Sequence, residues 1–228
     1  MGDVNNTIRN IENLGQFELI FFILELDEIN SKEEFNYIIN LLTNHDNPIR
    51  EAVSLKLEDY ILKYENWFLD EFSINKILDG IIDINPNVSR SICKLISASK
   101  TLAGKVEKQI IERINLLILN LKKFEKENND SFVNAQRNVK NHAKNKKIFS
   151  LYWYLEALSC CLSDKYSDEI IKILNYAIDF SDYTIREKTA KLLVKLKNAP
   201  LELLQKANSD KNFYVKIQVY DKITMMIS

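Results

Sequence analysis

The sequence predicts an all-α protein, and three observations predict it. Only 4 Gly and 3 Pro occur in 228 residues, too few for the many tight turns and positive-φ corners of sheet-rich and α/β folds. Hydrophobic residues make up 46% and charged residues 28%, a balance that supports a packed core and argues against global disorder. The third observation is a recurring segment. Asn47-Pro48 precede Ile49, Arg50 follows, and Val53 and Leu57 stand four and eight positions on. The pattern returns at Val88 after Asn85-Pro86, with Ile92 and Ile96, and at Ile185, with Arg186, Thr189 and Leu193. It returns again at Val215, with Lys216, Val219 and Ile223. A degraded copy starts at Val139, with Lys140, Ala143 and Lys147.

The elements follow in chain order. The apolar run "FELIFFILEL", residues 17–26, contains Glu18 and Glu25 and is too short to span a bilayer, so it reads as a buried helix. Residues 1–30 form the N-terminal cap of a stack of helical hairpins. Ser31 and Glu34 make a capping box that opens "KEEFNYIINLL". Asn47 caps the next helix while Pro48 sits at its first position, where a missing donor costs nothing. "SINKILDGIID", 73–83, pairs with the helix after Pro86. Residues 102–124 form the longest helix, with Val106, Ile110, Ile114, Leu117 and Leu121 on one face. "EKENNDS", 125–131, is a loop. "SLYWYLEALSCCL" and "SDEIIKILNYAIDF" make a hairpin before Ile185. Asp182, and Ser209 or Asp210, cap the last copies. The final helix "VKIQVYDKITMMI" lacks a polar end face unless Lys216 and Lys222 supply one.

The segments "DNPIREAVSLKL", "NPNVSRSICKLI", "DYTIREKTAKLL" and "NFYVKIQVYDKI" resemble the second helices of HEAT repeats, an armadillo-type family. The anchors lie 39, 51, 46 and 30 residues apart, around the roughly 40–47 residues of such a unit. The resemblance implies a right-handed superhelical α-α solenoid of about five hairpins. One domain over 1–228 would then comprise the cap (1–30), acidic-to-basic repeats (31–124), the loop (125–131) and C-terminal repeats (132–228). In such stacks the second helices usually line the concave side, which would place Arg50, Arg90, Lys140 and Arg186 there. The function so implied is a non-enzymatic scaffold that binds a protein or peptide partner.

The segment "RNVKNHAKNKK", 137–147, carries Arg137, Lys140, Lys144 and Lys147 at helical spacing. Aligned cations make a stripe for phosphate or acidic peptide, or a plain solvated face. Trp153 beside it offers an aromatic wall for a base, or core packing. HEAT-like alkylpurine DNA glycosylases resemble the chain in length and in their use of Trp, Asp and Arg, although no matching motif occurs here. They supply the alternative reading, nucleic-acid binding or DNA-base processing. No GxSxG, P-loop, GxGxxG or HExxH motif is present. Adjacent Cys160 and Cys161 point about 100° apart on a helix and make a poor metal pair. Neither a catalytic set, a cofactor nor a metal is expected.

Three sparse cysteines and a polar N-terminal stretch lead to the expectation of a cytoplasmic protein with no membrane segment. Residues 1–99 hold 8 Lys and Arg against 17 Asp and Glu, residues 100–147 hold 12 against 5, and residues 148–228 hold 11 against 10. Such a split predicts either a monomer or weak, salt-sensitive self-association.

Overall fold

The computed structural model describes Ile11 and residues 13–127 and 134–227, with the side chains of all of these except 124–141, 226 and 227. It is all-helical, and no strand occurs among the described residues. We number the helices α1 (Gln16–Glu25), α2 (Lys32–Asn40), α3 (Asn47–Tyr60), α4 (Glu71–Gly80), α5 (Pro86–Ala98), α6 (Lys100–Glu127), α7 (Asn134–Cys161), α8 (Ser167–Ala177), α9 (Tyr183–Lys195), α10 (Leu201–Asn208) and α11 (Phe213–Ile227). None is long and apolar enough to cross a membrane.

Packing gathers the chain into two compact units, Met1–Val106 and Glu107–Ser228. In the first, α1 packs on α3 and α3 on α5, while α2 and α4 pair beside them. In the second, α7 packs on α9 and α9 on α11, with α8 against α9 and α10 against both α9 and α11. The four apolar stripes of the recurring segment line these contacts. Val53, Leu57, Val88, Ile92, Ile96, Ile185, Leu193, Val215 and Val219 are all completely or almost completely buried. Thr189 interrupts its stripe without an orphaned hydroxyl, because Oγ1 donates to the Ile185 carbonyl at 2.8 Å.

The helix starts follow local chemistry, with three corrections. Asp182 accepts from Thr184 N at 2.9 Å and Asn85 from Asn87 N at 3.0 Å, as the capping argument requires. Ser31 Oγ accepts from Glu34 N at 3.1 Å, but the Glu34 carboxylate reaches one residue further back than a capping box, to Asn30 N at 2.8 Å. Asn47 caps no backbone donor, because its side-chain oxygen takes a guanidinium N–H of Arg50. At α11 the adjacent cap is Asn212, which accepts from Tyr214 N at 2.9 Å. Asp210 shapes the turn before it by accepting from Asn212 N at 2.7 Å.

The centre departs most from expectation. α6 continues through 125–127, the start of the predicted loop, and the rest of that stretch lies outside the described residues. α7 runs unbroken through Val139 and on to Cys161, so the Val139 copy starts no helix. Neither Gly nor Pro lies between 134 and 161, and nothing in that stretch interrupts helical hydrogen bonding.

Candidate functional site

Four turns precede α3, α5, α9 and α11, beginning at Asn44, Asp83, Phe180 and Asp210. Six positions after each stands Arg50, Ser89, Arg186 or Lys216. Arg50 donates from Nε to Asp83 at 2.6 Å and from Nη2 to the other Asp83 oxygen at 3.0 Å. Its Nη1 donates to the Asn44 and His45 carbonyls at 2.8 and 3.1 Å, and Nη2 also reaches Asn47. All five donors of the guanidinium are therefore engaged.

Arg186 repeats this arrangement in the second unit. Nε and Nη2 grip Asp210 at 2.6 and 3.2 Å, and Nη1 holds the Phe180 and Ser181 carbonyls at 2.8 and 3.0 Å. The carbonyl acceptors lie five and six residues before the arginine in both places. In each, the aspartate belongs to the turn before the next stacked helix. Both arginines are 8% exposed. The two cations expected on an open binding face are thus joints between neighbouring stacked helices. A long side chain near a helix start reaches the carbonyls of its own turn.

The other two turns show what the position does without arginine. Ser89 is buried and donates back to the Asp83 carbonyl at 3.2 Å. Lys216 is exposed on α11. Lys222, expected to share the polar end face with it, turns inward instead and donates to the carbonyls of Leu193, Val194 and Leu196 at 3.1, 2.9 and 2.6 Å. It covers the orphan acceptors at the C-terminus of α9, where a cation is favoured, and desolvation lowers its pKa. Lys56 does the same for α1, reaching the Leu24 carbonyl at 3.1 Å.

Arg90 does stand on an open face. It donates to Asn87 Oδ1 at 2.8 Å, and Asn87 and Asn85 each donate to Glu51 at 2.9 Å. Lys94 lies 3.6 Å from Glu58. With half-exposed Leu55, these groups make one mixed surface across α3 and α5.

The basic stripe and its aromatic neighbour are placed differently from one another. The side chains of Arg137 and Lys140 lie outside the described residues, whereas Lys144 and Lys147 are half-buried on α7. Trp153 is 7% exposed and meets the rings of Tyr152 and Phe149 edge-on. A base-stacking platform needs an open ring face, and Trp153 offers core packing instead. Tyr152 lies under the ammonium of Lys188, 4.6 Å from the ring centroid, and Lys188 also pairs with Glu156. Burial is the largest single influence and disfavours the charged amine, but the hydrogen bonds and charges of Glu156 and Tyr152 together outweigh it and raise the Lys188 pKa.

Sequence reasoning missed Glu107. Its buried carboxylate accepts from Ser163 N at 2.7 Å and Ser163 Oγ at 2.6 Å, tying α6 to the chain just after α7. A glutamate between Val106 and Ile110 on a buried stripe is the signal that pointed to it. Burial, with the Glu107 charge nearby, pushes the Cys161 thiol well above its ordinary pKa. No cluster of three or more His, Cys, Asp or Glu suited to a metal occurs among the described residues.

No family model matches the chain, and no curated protein matches it. Among solved structures, the crystal structure of an engineered protein aligns with 98% of this chain and 96% of its own, at 12% identity and a TM-score of 0.48.

Proposed function

We propose that the protein is a non-enzymatic HEAT-type α-solenoid that binds a protein or peptide partner along its stacked second helices. The observation that supports this reading is the matched pair of arginine joints. Two sites 136 residues apart in sequence use the same donors, the same carbonyl offsets and an aspartate from the next turn. Such matching is what a repeating unit produces. With Arg50 and Arg186 occupied inside the stack, the surface that remains for a partner is Leu55, Glu51, Arg90 and Lys94. Apolar area with nearby donors and acceptors suits an extended or helical peptide.

A photo-crosslinking residue placed at 55 or 90, and at exposed Asn75 on α4 as a control, tests this in cells of the native host. Discrete adducts from 55 and 90 but not 75 are expected, the adduct at 55 being lost when Arg90 and Lys94 are both changed to Glu. Adducts only from 75, or substrate turnover by the purified protein, would overturn it. Fluorescence anisotropy with duplex and single-stranded oligonucleotides at low salt checks the competing nucleic-acid reading. Binding that vanishes on changing Lys144 and Lys147 to Gln favours that reading instead.

A further inference from the structure

In each unit a helix at the end of the stacked series, α1 in the first and α11 in the second, leaves an apolar stripe uncovered. On α1, Phe17, Phe21 and Leu24 are 76%, 62% and 45% exposed. On α11, Phe213, Ile217 and Tyr220 are 66%, 49% and 59% exposed. Spacings of four and three residues place each set on one side of its helix. The opposite side of α11 is already engaged, with Val215 and Val219 buried.

The flanks of the two stripes differ in charge. On α1 the flank holds exposed Glu18 and Glu25, seven residues apart on the same side of the stripe. On α11 one flank holds Lys216. That lysine occupies the position of Arg50 and Arg186, each of which reaches across to an acid of the next stacked helix's turn. At α11 the same position points a cation outward. If a second helix lies parallel to α11 on its open stripe, the flank that carries Lys216 faces the flank that carries Glu18 and Glu25. The opposite flank of α11, with Asp221, then faces no α1 carboxylate.

We propose that the occupant of the α11 face is the α1 face of a second copy of this chain, joined head to tail. The contact continues between molecules the helix-on-helix stacking that runs from α9 to α11 within one. It buries Phe213, Ile217 and Tyr220 against Phe17, Phe21 and Leu24, and pairs Lys216 with Glu18 or Glu25. Tyr220 also sets its strength. The equivalent positions of α3 and α9 are Ser54 and Ala190, both completely buried, where a small side chain lets the next helix approach closely. A tyrosine there holds the intermolecular joint wider than the internal ones, so it is the weaker contact. Being heterologous, it leaves one face of each kind free and can add further copies.

Sedimentation velocity across micromolar to millimolar protein tests the proposal. The wild-type chain is expected to grow beyond a dimer as concentration rises. Phe21→Glu and Ile217→Glu, both at exposed positions, are each expected to be monomeric with unchanged circular dichroism. Mixed together, they retain one intact face of each kind and are expected to form a dimer and nothing larger. Lys216→Glu should weaken assembly about fivefold, consistent with a surface ion pair, and mixing it with a Glu18→Lys, Glu25→Lys chain should reverse the loss. A monomeric wild-type chain at millimolar concentration overturns the proposal. Dimerisation of Phe21→Glu by itself also overturns it, because that result means α11 pairs with α11.

Discussion

A buried guanidinium is costly to desolvate, and Arg50 and Arg186 persist because carboxylate and carbonyl acceptors surround them. Removing one partner leaves the other uncompensated, so Arg186→Ala should lower unfolding free energy by about 3 kcal/mol. Arg90→Ala, on the open surface, should stay within about 0.5 kcal/mol. Urea titration of both variants checks the contrast, and equal losses would contradict the joint. The Arg186 hydrogen bond also lowers the Asp210 pKa. A carboxylate whose folded pKa is depressed stabilises above its unfolded value, about 3.9, and the benefit is lost as pH falls through the folded value. Asp210→Asn should therefore be less stable than wild type at pH 7, with the gap narrowing below about pH 4. A gap constant down to pH 2 would remove the linkage. The sequence made these arginines visible as a recurring position, but not their direction. Their aspartates lie 33 and 24 residues on, and only folding brings such distant groups into register.

At the scale of helices, the polar signals at helix starts were readable because caps act within three residues. Asp182 behaves as its sequence predicts and Asn85 caps its helix in the same way, whereas Asn47 does not, since the neighbouring guanidinium competes for its oxygen. The Val139 copy misled for a related reason. A stripe of apolar positions looks the same at a helix start and in its middle, and only a turn tells them apart. Two glycines give a test of helix environment. Gly104 lies inside α6, and a Cβ there would meet nothing within 4 Å. Gly104→Ala should raise stability by about 0.5–1 kcal/mol. Gly80 ends α4, where a Cβ would come 3.0 Å from Ile92 Cγ1. Gly80→Ala presses on a completely buried side chain and should lower stability by about 1 kcal/mol or more. Thermal melts of the two variants that shift in the same direction would refute the distinction.

At the scale of the whole chain, the charge asymmetry coincides with the two packing units. Residues 1–106 hold 10 Lys and Arg against 17 Asp and Glu, while 107–228 hold 21 against 15. A net −7 and a net +6 repel themselves within their own units. For a sphere of about 13 Å radius, seven like charges cost a few kcal/mol at 0.1 M salt. Shortening the screening length from about 10 to about 3 Å at 1 M removes about half of that. The opposing effect is the loss of exposed ion pairs such as Lys63–Glu28, Lys108–Glu112 and Lys206–Asp179. Each contributes only about 0–1 kcal/mol, and the buried Arg50 and Arg186 joints are screened far less. Relief of self-repulsion should therefore win, and Tm should rise by a few degrees between 0.1 and 1 M NaCl. Circular dichroism melts at micromolar protein, where assembly does not contribute, measure this. A Tm that falls with salt would mean that exposed pairs, rather than the apolar stripes and arginine joints, set the stability of the stack.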